Sequence, residues 1–216
     1  MITDATDRAR RRSPIRFDAT PIQVERRDDW DVVLAYEGDQ GPWLVDLSHR
    51  KRWDFQDGHI GDHQPLGMEL PPAPGVVSVE RGLMISRMNG TQASIWHVGP
   101  DEAPSPPDEV SLTDTTDSHC WLAVVGAATP FVMEHVSSLD LFPPGRLAPF
   151  LTQGPVLHVA CQIVTCGPDG ALIALARGYG QTFADAMLHA AREVGLRPGG
   201  ERVFTDWWLR TQGNSP

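Results

Sequence analysis

The chain has 216 residues, a formal net charge of −10, 41% hydrophobic residues and 21% charged residues. This length supports a real hydrophobic core, in one domain or two small ones, and the composition is typical of a globular protein. The acidic balance argues against general nucleic-acid binding and against an anionic membrane surface, because both require basic patches.

Residues 1–20 open the chain with a cluster of arginines, Arg8, Arg10, Arg11 and Arg12. Basic termini of this kind are usually poorly ordered, so we predict a flexible arm, with partner docking as the alternative. Residues 21–98 then form a predicted β-rich subdomain. Within it, Trp30–Tyr36 and Trp43–Leu47 flank a turn rich in glycine and proline, and this spacing predicts a β-hairpin.

The stretch Ser48–His63 is the most polar part of the chain, and we interpret it as a surface loop. His59 and His63 lie four residues apart and could share a metal ion on a helix. Two glycines in the stretch disfavour that helix and no third ligand is evident, so the metal site is the weaker interpretation. The basic run at residues 49–52 suits an anionic ligand or an acidic partner, and Trp53 beside it could anchor an interface.

The segment Gly82–Val98 carries the clearest hairpin signal, because Asn89-Gly90 suits the two positive-φ positions of a type I′ turn. A two-residue loop would place Arg87 opposite Gln92 on one face of the sheet. Such a pair could clamp a carboxylate or an amide, although cross-strand polar pairs exposed to solvent are common.

Residues 110–205 form a second predicted subdomain, in which Thr129 and Thr182 are expected helix N-caps. Its elements follow the order strand, helix, strand, strand, helix, strand, at Cys120–Val125, Thr129–Leu139, Val156–Thr165, Ala171–Arg177, Thr182–Val194 and Arg202–Thr205. This βαββαβ order is the ferredoxin-like pattern, an antiparallel sheet with both helices on one face. Residues 206–216 are a predicted tail, whose Trp207 and Trp208 pack either on the core or against a partner.

Nucleophilic catalysis receives little support from these elements. Asp117-Ser118-His119-Cys120 contains suitable residue types, but neighbours in a strand alternate faces, so His119 and Cys120 would point apart. The cysteines Cys120, Cys161 and Cys166 are too few for a disulfide framework, and no apolar leader is visible, which favours a reducing cytoplasm. Leu147–Pro168 lacks Asp, Glu, Lys and Arg, but its prolines and glutamines favour a loop and a buried strand over a membrane span.

The segment VVGAATPFVMEHVSSLDLFPPGRLAPFLTQGPVLHV, residues 124–159, has a distinctive order. An apolar strand ends in glycine, a helix leads to a Leu-Asp-Leu step, and a Pro-Gly turn precedes a strand that begins Pro-Val-Leu. This order resembles the sarcosine oxidase gamma subunit family, the small form of the folate-binding aminomethyltransferase-type module in the glycine cleavage T-protein-like superfamily. The resemblance, which runs from about Leu66 to Leu196, implies an α+β fold of ferredoxin-like units with antiparallel sheets and helices on one face, the folate-module (aminomethyltransferase-like) architecture.

The resemblance also implies an accessory role for this chain. In sarcosine-oxidase-type complexes the partner subunits carry the flavins, the folate site and the oxidation chemistry. This chain would then hold no catalytic residue and no cofactor of its own, and it would brace a flavoprotein in a hetero-oligomer that oxidises a methylated amine such as sarcosine. Trp53, Trp207 and Trp208 are the candidate contacts with that partner.

The alternative implied by the resemblance is a stand-alone one-carbon transferase that binds tetrahydrofolate through Arg87, Gln92 and Asp117. A weaker third hypothesis is a folate-module repair or assembly factor. The essential aspartate of the aminomethyltransferases cannot be aligned with this chain. Asp46-Leu47-Ser48-His49 is similar to their D-x-S-H step but precedes the region of best resemblance, so these departures favour the accessory role.

Overall fold

The computed structural model describes residues 11–38, 40–106 and 111–213. Over these residues the chain forms an α+β fold with three β-sheets, largely antiparallel, and three α-helices. The helices are Thr129–Val136 (α1), Gly180–Ala190 (α2) and Glu201–Gly213 (α3). No helix in the described ranges is long and apolar enough to cross a membrane.

Thirteen strands build the sheets of the described chain. The six-stranded sheet contains, in spatial order, Phe150–Val156 (β10), Val159–Gly167 (β11), Gly170–Ala176 (β12), His119–Val125 (β9), Trp43–Asp46 (β3) and Arg197–Gly199 (β13). The five-stranded sheet contains Val77–Glu80 (β5), Leu83–Arg87 (β6), Gln92–His97 (β7), Arg52–Gln56 (β4) and Leu112–Asp114 (β8). The two-stranded sheet consists of Pro21–Arg27 (β1) and Trp30–Tyr36 (β2).

The second half of the chain confirms the ferredoxin-like pattern. Strands β11, β12, β9 and β13 follow one another in the spatial order of that fold, and helices α1 and α2 pack together on one face of the sheet. Two strands are added to the pattern, because β10 extends the edge and β3 lies between β9 and β13. The predicted strand Arg202–Thr205 and the predicted tail are wrong, since residues 201–213 form helix α3.

Strand β3 shows why the predicted hairpin of Trp30–Tyr36 with Trp43–Leu47 is wrong. Leu44 packs beneath α1 and α2, Val45 packs between the two large sheets, and both are 0% exposed. A strand that is apolar on both faces is most stable inside a sheet. Strand β3 therefore pairs with β9 and β13, while β2 pairs with β1. The large sheets thus cross the predicted subdomain boundaries, because β8 likewise joins the sheet of the first half.

The hairpin of β6 and β7 forms as predicted, but its register is shifted by one residue. Arg87 pairs with Ala93, and the backbone N–H of Met88 donates to the carbonyl of Gln92 at 2.9 Å, which leaves a three-residue loop at residues 89–91. Arg87 and Gln92 therefore point to opposite faces of the sheet and do not form the predicted cross-strand pair. Neither loop residue of the Asn-Gly step has a positive φ, so the turn is not type I′. The guanidinium of Arg87 donates to the carbonyls of Asn89 and Gly90 at 3.1 and 3.3 Å, which stabilises the wider loop.

Helix α1 begins at Thr129, as predicted, but Thr129 does not cap it. Its hydroxyl donates to the carbonyl of Gly126 at 2.7 Å and so closes the turn that Gly126 makes at a φ of +125°. The side chain of Phe131 in this helix is 61% exposed. Helix α2 begins before Thr182, which therefore does not cap it either. The side chains that bury these helices are Val132, Met133, Val136, Phe183, Ala184 and Met187.

Two regions predicted to be solvated are part of the folded core. Residues 1–10 of the predicted flexible arm lie outside the described residues, but Ile15 and Phe17 are 7% and 5% exposed and pack in the core beneath α1 and α2. The predicted surface loop Ser48–His63 contains β4, whose Phe55 is buried. In Leu147–Pro168 the predicted strand forms as β11, but most of the predicted loop before it is the strand β10.

Candidate functional site

The residues predicted to bind folate have separate partners. Arg87 supports its own hairpin loop, and the side-chain amide of Gln92 donates to the carboxylate of Asp54 at 2.9 and 3.1 Å. Asp117 is exposed and lies 3.2 Å from a guanidinium nitrogen of Arg11. Within the described ranges, no hydrogen bond or ion pair joins Arg87, Gln92 and Asp117 to one another. Their role in ligand binding stays a prediction.

His59 and His63 flank a single 3-10 turn at Ile60–Asp62. The backbone N–H of His59 donates to Asp57 at 2.7 Å, and this hydrogen bond is the main reason that the pKa of Asp57 is lowered. His63 Nε2 lies 3.3 Å from the same carboxylate. In the part of the chain that the structure describes, no group of three or more His, Cys, Asp or Glu side chains could hold a metal ion. The weak metal interpretation therefore gains no third ligand.

The tryptophans predicted as partner contacts lie inside the chain. Trp53, Trp207 and Trp208 are 1%, 2% and 4% exposed. Trp207 and Trp208 pack with Phe204 of α3 against the large sheets, and Trp207 Nε1 donates to Asp169 at 3.1 Å. The predicted surface contacts are wrong, because these rings are already buried against their own chain.

A buried electrostatic cluster surrounds Glu201 at the start of α3, and we call it the Glu201 cluster. This carboxylate is 2% exposed. Arg50 Nε donates to it at 2.9 Å, His49 Nε2 lies 2.9 Å from the same oxygen, and Arg27 donates to the other oxygen. Arg50 is itself buried and also donates to the carbonyl of Gly99 at 2.9 Å. The cluster therefore ties β1 and the connection between β3 and β4 to α3.

Burial alone would raise the pKa of Glu201. The hydrogen bond with His49 and the charges of Arg50, His49 and Arg27 outweigh burial and hold the pKa well below its ordinary value. The basic run at residues 49–52, which predicted an anionic ligand or an acidic partner, thus meets an internal anion. Glu201 was missed because 152 residues separate it from His49, so no local spacing signals the pair.

A second buried cation, Arg52, has a different environment. It is 3% exposed and has no carboxylate within ion-pair distance among the described residues. Its guanidinium donates to Ser94 at 3.3 and 3.1 Å and to Gln162, and it lies 5.3 Å from the ring centre of Trp96. Arg52 Nη1 has no hydrogen-bond partner in the described chain. Burial lowers the pKa of Arg52 to about 10.

Arg52 also acts on His119 at the start of β9. Burial, followed by the charge of Arg52, lowers the pKa of His119 to about 4, so its imidazole is neutral at pH 7. Its Nδ1 lies 2.7 Å from the hydroxyl of Ser118, which donates to the carbonyl of Thr115 at 2.8 Å. Cys120 points into the opposite core, and burial raises the pKa of its thiol to about 12. The other two cysteines are also free, with pKa values raised by burial.

A cavity of about 70 Å³ lies beside the Glu201 cluster, and we call it the Asp46 cavity. Asp46 and His49, from the D-x-S-H step, both line it. The carboxylate of Asp46 accepts the backbone N–H of Ser48 at 2.9 Å and the hydroxyl of Ser13. Burial, followed by the charge of Asp46, raises the pKa of the lining Tyr36 to about 12. The lining therefore combines the carboxylates of Asp31 and Asp46 with a neutral phenol and apolar side chains.

No protein-family model matches the chain, and a comparison with curated proteins gives no significant match. Solved structures do match. A chain of the heterotetrameric sarcosine oxidase from Corynebacterium sp. U-96, in complex with pyrrole 2-carboxylate, has a TM-score of 0.59 and 14% identity over 69% of this chain and 83% of that chain.

Glycine cleavage system aminomethyltransferase T from Bartonella henselae also matches, with a TM-score of 0.55 and 16% identity over 87% of this chain. The match spans 58% of the length of that aminomethyltransferase. At these identities the similarity is one of fold. It confirms the expected α+β, aminomethyltransferase-like architecture.

Proposed function

We propose that this chain is a non-catalytic, gamma-like accessory subunit of a heteromeric sarcosine-oxidase-type complex. The complex would oxidise a methylated amine with folate-linked one-carbon transfer, and its flavins would lie on partner subunits. The observation that carries the proposal is the structural match over 83% of a chain from a heterotetrameric sarcosine oxidase. Most of that chain's fold is represented here, which supports an equivalent place in an assembly.

The chemistry of the described side chains supports a bracing role. Glu201 is held by Arg27, Arg50 and His49, and burial raises the pKa of the thiols. His119 is neutral, and its Ser118 neighbour already donates to a carbonyl. An activated nucleophile needs an adjacent base or a lowered pKa. The thiols have raised pKa values, and the base beside Ser118 is His119, whose pKa of about 4 makes it a weak base. The arrangement suits a scaffold better than a reaction centre.

Affinity purification of the tagged chain from its native host tests the proposal. We expect a flavin absorbance spectrum to co-elute with the chain in size-exclusion chromatography, and this flavin to be reduced when sarcosine or another methylated amine is added. The tag expressed alone is the control for non-specific capture. Recovery of the chain as a monomer, without a flavoprotein, would contradict the proposal.

The second candidate is a stand-alone tetrahydrofolate-dependent transferase, favoured by the match of aminomethyltransferase T to 87% of this chain. The separate partners of Arg87, Gln92 and Asp117 weigh against it. Calorimetry with tetrahydrofolate distinguishes the two. Saturable heat that disappears in Gln92→Ala, but not in the control Lys51→Ala, would support the transferase, whereas no heat at millimolar ligand would exclude it.

A further inference from the structure

We propose that the Asp46 cavity binds a small alkylammonium cation. Its walls include the carboxylate of Asp46 and the aromatic side chains of Phe17, Trp30 and Tyr36. A carboxylate compensates the charge of an ammonium group, and aromatic rings attract alkylated ammonium ions through their quadrupoles. The inference rests on the chemistry of this cavity and does not depend on the proposed function.

The negative charge of Asp46 is not compensated within the described residues. Its hydrogen-bond donors are the backbone N–H of Ser48 and the hydroxyl of Ser13, and both are neutral groups. No cationic side chain of the described ranges lies within ion-pair distance of it. An ionised carboxylate has about four acceptor positions, so lone pairs remain for the N–H groups of an ammonium ion.

The other ionisable groups of the cavity are already engaged. Asp31 is exposed and lies 3.5 Å from a guanidinium nitrogen of Arg26. His49 directs Nε2 to Glu201. The phenol of Tyr36 stays neutral at pH 7, because its pKa is raised to about 12. Asp46 is therefore the group that is left to bind a cation.

The apolar walls favour an alkylated cation over a metal ion. Phe17 and Trp30 are 5% and 4% exposed, and the rings of Phe17 and Tyr36 meet edge to face at 5.8 Å. The ring of Trp30 already holds the guanidinium of Arg177 at 5.7 Å, so it serves as a cation–π acceptor. A sodium ion would lose its hydration shell for a single carboxylate, whereas methyl groups gain from burial against the rings. The cavity has room for only a few non-hydrogen atoms, as in dimethylammonium.

Titration of the full chain with dimethylammonium chloride tests the inference. The readout is the NMR shift of the Trp30 indole N–H, assigned with the variant Trp30→Phe. So small a ligand binds at best in the millimolar range. We expect a saturable shift with dimethylammonium and none with sodium chloride at equal ionic strength or with 2-propanol, a neutral molecule of similar size.

Two carboxylate variants make the test specific. Asp46→Asn removes the unpaired charge, so we expect affinity to fall by about tenfold or more, which corresponds to the loss of one charge-assisted hydrogen bond. Asp31→Asn removes a carboxylate that is exposed and paired, so affinity should change less than about twofold. Far-UV circular dichroism checks that both variants fold.

Equal binding by Asp46→Asn, an equal shift with sodium chloride, or no saturation would each overturn the inference. If Asp46→Asn does not fold, the comparison of dimethylammonium with 2-propanol on the unaltered chain decides the matter. The isolated chain is used throughout, so a negative result leaves the partner proposal unaffected.

Discussion

Glu201 and Arg52 are both almost fully buried, but the groups that surround their charges differ. Glu201 is surrounded by Arg27, His49 and Arg50, whereas Arg52 has neutral hydrogen-bond acceptors and a tryptophan ring. The pKa of Glu201 is lowered, which favours its charged form. Burial lowers the pKa of Arg52, which favours its neutral form. The Glu201 cluster holds α3 to β1 and to the connection between β3 and β4. The charge of Arg52, which Asp54 only partly offsets, lowers the pKa of His119.

Because of this difference, removing the two side chains should change the free energy of unfolding by unequal amounts. Deleting one member of a compensated buried cluster leaves the other charges buried without a partner. Deleting a buried charge that has no ionic partner also removes the cost of burying it. The comparison therefore predicts a large effect at Glu201 and a smaller one at Arg52.

Glu201→Ala should have the largest effect. We expect the free energy of unfolding to fall by about 3–5 kcal/mol, because Arg50 would be left buried without an anion. Urea denaturation measures this loss. The control Glu134→Ala removes an exposed carboxylate of α1 and should change stability by less than about 0.5 kcal/mol. Equal losses in both variants would show that the Glu201 cluster does not stabilise the fold.

Acid should selectively weaken the Glu201 cluster. The folded-state pKa of Glu201 lies below its ordinary value of 4.5, so the unfolded chain takes up a proton first as the pH falls. The stabilisation is therefore complete above pH 4.5 and is lost as the pH falls below it. Denaturation curves for the unaltered chain and Glu201→Gln should converge at low pH. Parallel curves would contradict this assignment.

Arg52→Met should lower the free energy of unfolding by less than Glu201→Ala does, by about 1–3 kcal/mol, because the charge no longer has to be buried but Ser94 and Gln162 lose their donor. It should also raise the pKa of His119 from about 4, since the charge of Arg52 contributes to lowering it. The pKa should stay below 6.5, because burial is the larger cause. An NMR titration of the imidazole protons measures the shift, and an unchanged pKa would show that Arg52 does not act on His119.

The smallest effect is expected at the surface pair of Lys51 and Asp114, of which Lys51 lies between the buried Arg50 and Arg52 in sequence. Its side chains are 2.9 Å apart but 38% and 44% exposed. Solvent screens such a pair, so Lys51→Ala should cost about 0–1 kcal/mol. Thermal unfolding at low and high salt checks this value. A loss as large as that of Glu201→Ala would mean that burial does not set the order of these effects.

The elements with one strong local signal could be predicted from the sequence. The position of β9 was predicted from its apolar run, and the start of α1 was predicted from Thr129-Pro130. Both signals lie within the element that they predict. The partners of strands were harder to predict. Both faces of β3 are apolar, so the strand is most stable inside a sheet. The turn before β3 instead suggested a hairpin with β2. The Asn-Gly rule likewise gave the wrong register, because the side chain of Arg87 stabilises a longer loop.

The candidate sites were mostly beyond sequence reasoning. Glu201 and His49 meet only because helix α3 packs beside the connection between β3 and β4. The basic run at residues 49–52 predicted an anionic ligand or an acidic partner. It could not show that His49, Arg50 and Lys51 meet carboxylates of the same chain, while Arg52 has none at ion-pair distance among the described residues. Asp46 and His49 stood in a recognisable D-x-S-H step, yet the cavity they line requires Trp30 and Tyr36 from a different sheet.

Native mass spectrometry of the affinity-purified assembly tests the central claim most directly. An accessory subunit predicts a discrete complex in which this chain is bound to subunits that carry flavin, with no flavin or folate on the chain itself when it is released. A single species of the isolated chain, or a released chain that retains tetrahydrofolate, would contradict the account.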